Sequence, residues 1–301
     1  MSSFGEDCLA LPSGRSCEED AVKLDLVDVF GSGPLSGNPL AVVHGADSLT
    51  AEQMLKLTQW LGFSETTFLL PPTDPDADYR VRIFYPAGEL QFAGHPTLGS
   101  CHAWLRAGGV PKNDAAIVQE CGVGPVEIRR DGERLSFRAP DLVRRGPLSD
   151  EERARAIELS GVGEEMLVEA VHVANGPQWQ LLRLRSDEDV LAAKPVAEAP
   201  QGTDIGLAGP TSGGDPAWEL RAFFADQQGR MREDPVTGSF NAGVAMHLFA
   251  SGLEKRRYVA AQGRQTGADG RIHCTQESDG SVWIGGICMT VAEGAAVPGW
   301  S

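Results

Sequence analysis

Three ionisable side chains stand at positions where they could move a proton. His95 and Asp234 each precede a proline, and Glu65 lies between Ser64 and Thr66 at the start of a β-rich run. A carboxyl group can take and return a proton near neutral pH only if partial burial raises its pKa. The alternative roles are structural: a solvated strand end for Glu65, a loop histidine for His95 and a helix N-cap for Asp234.

An internal repeat relates the two halves of the chain. Six residues of the first half match six of the second at a constant offset of 139 residues, the spacing of Arg82 from Arg221. The same offset matches His95 with Asp234, and a looser echo joins Asn38 to Asn175. Because the offset is close to half the chain length, it indicates a duplication. The matched pairs are Arg82 and Arg221, Phe84 and Phe223, Tyr85 and Phe224, Pro96 and Pro235, Gly99 and Gly238, and Ser100 and Ser239.

The repeat predicts one helix start in each half. Pro96 and Pro235 are expected to be the first residues of two helices, because a missing N–H costs nothing at that position. Unpaired N–H groups and the positive end of the helix dipole favour an anion. Two such starts, facing each other across a pseudo-twofold axis, would form a cleft for a small carboxylate substrate.

The elements that position these residues follow from local patterns. Strands are predicted over residues 24–30, 40–43, 64–70 and 79–85, from alternation and β-rich composition. Residues 50–53 fit a capping box that opens a helix, and Gly62 ends it. Residues 1–22 are expected to be a flexible extension, followed by two similar domains over residues 23–140 and 141–297.

Composition limits the class of protein. The net charge of −16 argues against a nucleic-acid partner, and no apolar run reaches the roughly 18 residues of a membrane span. Without a secretory signal pattern, the sequence predicts a cytoplasmic protein. The histidines lack metal-ligand spacing, so no metal is expected. The six cysteines are expected to be free thiols; they stand at positions 8, 17, 101, 121, 274 and 288.

Several motifs in combination resemble the phenazine-biosynthesis (PhzF-like) isomerase family, which has the diaminopimelate-epimerase fold. The resemblance implies an α+β protein of two similar domains, each a curved mixed β-sheet or barrel around a central α-helix. It also implies that a last strand near residues 284–293 returns to the first domain, and that the protein is a homodimer without cofactors. The motifs lie at residues 28–30, 37–42, 64–68, 92–99, 175–177, 221–223, 233–239 and 262–263.

The resemblance also implies roles for the site residues. Glu65 would act as the proton shuttle of a cofactor-independent isomerase acting on a small, cyclic carboxylic acid. His95 and Asp234 would orient the substrate around this carboxyl group. The expected substrate-binding groups are the Ser64 and Ser239 side chains and the backbone N–H groups around Gly94 and Gly238.

Two other functions are weighed against the isomerase. Related epimerases and proline racemases use two opposed thiols, but residues 93–95 and 233–235 contain no cysteine, which disfavours a thiol racemase. A non-catalytic protein that binds small acids, or a scaffold protein, could keep the same fold. The chain also departs from the family's frequent pattern: Gln178 and Trp179 replace Arg-His, and Ala225 replaces proline. These departures put the phenazine-pathway substrate in doubt.

Overall fold

The computed structural model describes residues 22–113 and 115–297. The α-helices are α1 (Ala51–Leu61), α2 (Gly94–Arg106), α3 (Asp150–Ser160), α4 (Asp187–Ala192) and α5 (Gly238–Ala250). The strands of the first half and the linking β9 are β1 (Lys23–Val29), β2 (Asn38–His44), β3 (Thr66–Leu70), β4 (Tyr79–Tyr85), β5 (Gly88–Leu90), β6 (Ile117–Cys121), β7 (Gly124–Asp131), β8 (Arg134–Arg138) and β9 (Arg144–Pro147). Those of the second half are β10 (Leu167–Ala174), β11 (Gln180–Leu184), β12 (Asp204–Pro210), β13 (Trp218–Ala225), β14 (Met231–Asp234), β15 (Arg257–Gln262), β16 (Gly270–Gln276) and β17 (Val282–Ala296).

Both halves repeat one order of elements: two strands, a helix, three strands, a helix and three strands. The pairing repeats as well. In the first half β2 pairs with β3, and β4 with β6, in parallel. Their counterparts in the second half, β11 with β12 and β13 with β15, are also parallel, and the other neighbouring pairs of each half are antiparallel. The expected α+β fold of two similar halves is confirmed.

The last strand joins the two halves. The start of β17 pairs with both β16 and β8, and its residues 288–296 pair with β1. With β17 in place, the strands β1, β2, β3, β4, β6, β7 and β8 close into a ring. The domain boundary at residues 140 and 141 stays a prediction, because both halves share β17 and one continuous sheet.

A buried helix packs against the sheet of each half. In the first half α2 packs against β1, β2, β8 and β17, and in the second half α5 packs against β10, β16 and β17. Leu98 of α2 and Phe240 of α5 are fully buried. Burial of such side chains, at about 25 cal/mol per Å² of apolar surface, is the main force that holds each sheet around its helix.

The local predictions for the first half are confirmed. Helix α1 begins after Thr50, whose side chain accepts a hydrogen bond from the N–H of Gln53, and the Gln53 side chain bonds back to the N–H of Thr50. Gly62 ends the helix with a positive φ of 73°. The strands predicted over residues 24–30, 40–43, 64–70 and 79–85 correspond to β1 to β4, with ends that differ by at most two residues.

The predicted helix starts are wrong. Helix α2 begins at Gly94, with Pro96 as its third residue, and α5 begins at Gly238, beyond Pro235. Proline is tolerated throughout the first helical turn, where its missing N–H has no acceptor to lose. The strands β4 and β13 keep the offset of 139 residues, but the hairpin β13–β14 is longer than β4–β5. The second residue of α2, His95, is therefore equivalent to the second residue of α5, Ser239, and not to Asp234.

The predicted flexible extension, residues 1–22, lies outside the described residues except for Val22. Val22 is buried, and its carbonyl accepts a hydrogen bond of 2.9 Å from the N–H of Val297. The four cysteines within the described residues are free thiols, as predicted; Cys8 and Cys17 lie outside. No helix within residues 22–113 and 115–297 is long and apolar enough to cross a membrane.

Candidate active site

The helices α2 and α5 meet at their first residues. A Cβ atom on Gly238 would stand 3.0 Å from the Cα of Gly94, and a Cβ on Gly94 would stand 2.7 Å from a ring carbon of Phe137. A side chain at Gly94 would displace Phe137, and one at Gly238 would press on the backbone of Gly94, so glycine at both positions permits this close approach. The two helix starts therefore face each other where the halves of the chain contact.

The first turns of these helices present backbone N–H groups. The first intrahelical bonds are made by the N–H groups of Thr97 in α2 and Asn241 in α5. The N–H groups that precede them have no acceptor within their helix. Together with the positive ends of two helix dipoles, they give the site donors that favour a negatively charged group.

Glu65 and His95 face each other beside these helix starts. Glu65 immediately precedes β3, and its Oε2 atom lies 3.7 Å from Nε2 of His95, too far for a hydrogen bond. Both atoms are buried and have no hydrogen-bond partner among the described residues. Because buried polar atoms are nearly always hydrogen-bonded, this pair is suited to receive a polar group of a ligand.

Burial sets the protonation of both side chains. Loss of water raises the pKa of Glu65 from its ordinary 4.5 to about 7, although the neighbouring Ser64 hydroxyl opposes the shift. Burial also lowers the pKa of His95 to about 4, against the opposite effect of the Asp234 carboxylate. His95 is thus a neutral imidazole at pH 7, and its contact with Glu65 is not an ion pair. A carboxyl group with a pKa near neutrality can both accept and return a proton.

Asp234, the last residue of β14, is held by side chains from both halves. Its Oδ1 accepts a hydrogen bond of 3.0 Å from Asn38, and its Oδ2 accepts one of 2.7 Å from the Thr237 hydroxyl. Burial and, next, the Glu65 charge raise the pKa of Asp234 to about 6. The interpretation of Asp234 as a helix N-cap is wrong: Thr237 occupies that position, and Asp234 receives side-chain donors.

A buried amide network supports the turn that carries Asp234. Gln262 donates through Nε2 to the Asp234 carbonyl at 3.0 Å and to Thr237 Oγ1 at 2.9 Å. Its Oε1 accepts from the Thr237 N–H and from the Asn241 side chain. Asn38 adds a second bond of 2.9 Å to the Val236 carbonyl. These contacts fix the turn in one conformation.

The predicted site residues gather at this meeting point of the halves. Ser64 adjoins Glu65, and Ser239 follows Gly238 in α5. The Ser239 Oγ atom accepts a hydrogen bond of 3.0 Å from the indole N–H of Trp179.

Three residues of this region have no role in the sequence-based prediction. Asn38 and Gln262 stand within the family motifs, and Trp179 stands where the chain departs from the family pattern. The Gly-Asn-Pro motif at the start of β2 is the signal that could have drawn attention to Asn38. The contacts of all three residues depend on segments that are distant in the chain.

The arrangement of cysteines does not support a pair of opposed catalytic thiols. The helix starts read Gly94-His95 and Gly238-Ser239, with no cysteine at either. Cys101 lies inside α2, where burial raises the pKa of its thiol to about 12 and keeps it protonated. Within the described part of the chain, no three His, Cys, Asp or Glu side chains are grouped so that they could hold a metal ion.

Comparison with known proteins covers almost the whole chain. A family model described as phenazine biosynthesis-like protein matches residues 27–294. Antisense-enhancing sequence 1 of Schizosaccharomyces pombe is 32% identical over 291 residues, covering 89% of this chain and 96% of the relative. The trans-2,3-dihydro-3-hydroxyanthranilate isomerase of Pseudomonas aeruginosa is 29% identical over 281 residues, covering 90% and 98%.

Solved structures agree on the fold. A predicted epimerase from Pseudomonas aeruginosa has a TM-score of 0.76 at 27% identity, covering 92% of this chain and 99% of its own. A probable proline racemase from Agrobacterium radiobacter has a TM-score of 0.55 at 15% identity, covering 92% and 93%. The second likeness concerns the fold alone, and it agrees with the expected diaminopimelate-epimerase-like architecture.

Proposed function

The chain belongs to the phenazine biosynthesis-like family, and we propose that it is an isomerase that moves a proton between carbon atoms of a small, cyclic carboxylic acid. The family model and the relatives confirm the resemblance that the motifs indicated. The observation that carries the proposal is Glu65, a buried carboxyl group whose pKa is raised to about 7 and which faces a neutral imidazole at 3.7 Å.

The proposed reaction needs one acid–base group. Ionised Glu65 takes a proton from a carbon atom: the C–H bond breaks, and a carboxyl O–H bond forms. The electron pair left behind shifts through the ring, and Glu65 returns the proton to another carbon on the same face. The enzyme ends the cycle unchanged, without an electron acceptor, which supports the proposal of a cofactor-independent isomerase.

The neighbouring groups fit this chemistry. Negative charge develops on the substrate while the proton resides on Glu65, and hydrogen-bond donors fixed beforehand stabilise such charge most effectively. The backbone N–H groups of the first turns of α2 and α5 are donors of this kind, held by the contact of Gly94 with Gly238. In the proposal they bind the substrate carboxylate, while His95, Asp234 and the hydroxyls of Ser64 and Ser239 orient the ring.

The substitution Glu65→Gln tests the proposal. It removes the proton carrier and keeps the side-chain size, so turnover is expected to fall by roughly a hundred- to ten-thousandfold. The measurement, by NMR in D₂O, is the isomerisation of trans-2,3-dihydro-3-hydroxyanthranilate, the compound named for the Pseudomonas relative, together with any incorporation of deuterium. Glu52→Gln, at an exposed carboxyl group of α1, is the matched control and should react like the wild type.

Three results would contradict the proposal in different ways. Turnover retained by Glu65→Gln would remove Glu65 from its role. If the wild-type protein bound the acid but formed no isomer and introduced no deuterium, the chain would be a binding protein that has kept the fold. Sensitivity of the wild type to thiol alkylation in the cleft would instead favour a racemase.

A further inference from the structure

Ser239 is held in place by hydrogen bonds from two side chains of the segment that follows β10. Trp179 donates its indole N–H to Ser239 Oγ at 3.0 Å, and Asn175 donates its amide to the Ser239 carbonyl at 2.9 Å. Trp179 is buried, with only 3% of its surface exposed, and its ring packs at 5.2 Å from that of Phe240. Ser239 itself is partly exposed. The hydroxyl is therefore held in place while one side stays accessible.

The bond from Trp179 defines what Ser239 can offer to a ligand. An indole N–H can only donate, so the Ser239 oxygen must act as the acceptor in that bond. A serine hydroxyl has one proton, and Ser239 donates it to no acceptor among the described residues.

We propose that Trp179 is a positioning residue that orients the Ser239 hydroxyl to donate a hydrogen bond to a carboxylate oxygen of the substrate at the start of α5. The inference rests on the proposed function, in which this cleft binds a carboxylic acid. The Ser239 hydroxyl then adds a third donor to the N–H groups of Gly238 and Ser239. A ligand that presents an acceptor gains a bond from this hydroxyl, whereas a ligand that presents only a donor is left with the remaining lone pair of the Ser239 oxygen.

The donors proposed at the start of α5 are all neutral groups: two backbone N–H groups and the Ser239 hydroxyl. Gln178, the neighbour of Trp179, is exposed, and its amide donates to the carbonyl of Gly176. The segment after β10 therefore contacts the side chain of Ser239, at the start of α5, through the indole of Trp179. An indole N–H has no acceptor function and carries no titratable charge, so the orientation that it gives to the Ser239 hydroxyl does not change with pH.

A double-mutant cycle tests the inference. Trp179→Phe keeps an aromatic ring beside Phe240 and removes the N–H donor. The probe is anthranilate, an aromatic ring with one carboxylate, whose binding is measured by calorimetry. Trp179→Phe is expected to weaken binding roughly five- to tenfold, the range for one hydrogen bond. In the Ser239→Ala background the same substitution should have no further effect, because the hydroxyl it orients is absent.

The control is Trp218→Phe. It removes another indole N–H bond, of 2.8 Å to Glu254, and should leave anthranilate affinity unchanged. Wild-type affinity in Trp179→Phe would overturn the inference. So would an equal loss in the wild-type and Ser239→Ala backgrounds, since that result indicates a purely structural role for Trp179. If the wild type bound no anthranilate, the carboxylate cleft of the proposed function would fail first, and this inference with it.

Discussion

At the scale of single residues, the environment of Glu65 decides its chemistry. The side chain is only 19% exposed, and its nearest ionisable neighbour in the cleft is a histidine that burial keeps neutral. No cation among the described residues compensates for the lost hydration of the carboxylate, so the protonated form is favoured and the pKa rises. A solvated strand end, the alternative interpretation of Glu65, would keep its ordinary pKa.

The pH dependence of activity is the prediction at this scale. If the ionised form of Glu65 takes the first proton, kcat/KM should decrease as pH falls below about 7, because the carboxyl group becomes protonated in the free enzyme. Asp234→Asn should move this profile to lower pH, since it removes a like charge next to Glu65. The measurement is kcat/KM from about pH 5 to about pH 9, with each sample re-assayed near pH 8 to exclude inactivation. A flat profile would contradict the role of Glu65 as the base.

At the scale of elements, the two helix starts depend on each other. Neither α2 nor α5 has a side-chain cap, and each begins at a glycine that contacts the other helix or Phe137. The N–H groups they present are positioned by this contact and by the sheets that surround each helix. A change of either glycine therefore acts on both helices.

Gly238→Ala tests the contact. The added methyl group would stand 3.0 Å from the Gly94 Cα and 3.2 Å from the His95 nitrogen, so the helices must move apart. We expect a loss of roughly 1–3 kcal/mol in the free energy of unfolding and about a hundredfold loss of turnover. Urea denaturation and the isomerisation assay by NMR measure the two effects. Gly33→Ala, where a Cβ meets no atom within 4 Å, is the control and should affect neither. Full activity in Gly238→Ala would show that the spacing of the helices is unimportant.

At the scale of the whole molecule, the buried carboxyl group of Glu65 lowers the free energy of unfolding at neutral and alkaline pH. Between pH 4.5, the ordinary pKa of glutamate, and about 7, its value in the folded protein, the unfolded chain releases the Glu65 proton before the folded chain does. The protonated carboxyl group therefore makes its full contribution to the free energy of unfolding below the pKa that Glu65 has in the unfolded chain. This contribution is lost as pH rises through the pKa that Glu65 has in the folded protein. The acid–base group of the cleft thus costs stability at neutral and alkaline pH.

Glu65→Gln should reverse this loss. The variant is expected to be more stable than the wild type above about pH 7, by up to about 3 kcal/mol, and nearly equal to it below about pH 4.5. Urea denaturation at both pH values measures the difference, and Glu52→Gln provides the exposed control. An equal change of stability at both pH values would contradict a raised pKa for Glu65.

Local signals determined much of this protein in advance. The Thr50–Gln53 capping box and Gly62 were sufficient to define α1, because both act within one helical turn. Alternation and β-rich composition defined β1 to β4, and the motifs around Glu65, His95 and Asp234 identified the family and its fold. The expected homodimer, cofactor independence and cytoplasmic location stay predictions.

Only the tertiary structure decided how the site is assembled. The contact of Asn38 with Asp234 spans 196 residues and that of Trp179 with Ser239 spans 60, and no local pattern encodes partners so far apart. The equivalence of His95 with Ser239 required the lengths of both hairpins, which the constant offset of 139 residues concealed. The pKa of Glu65 likewise depends on burial by both halves. The sequence determines the residue types and the local elements. The distances between side chains, their hydrogen-bond donors and their protonation states depend on distant segments that pack together and exclude water.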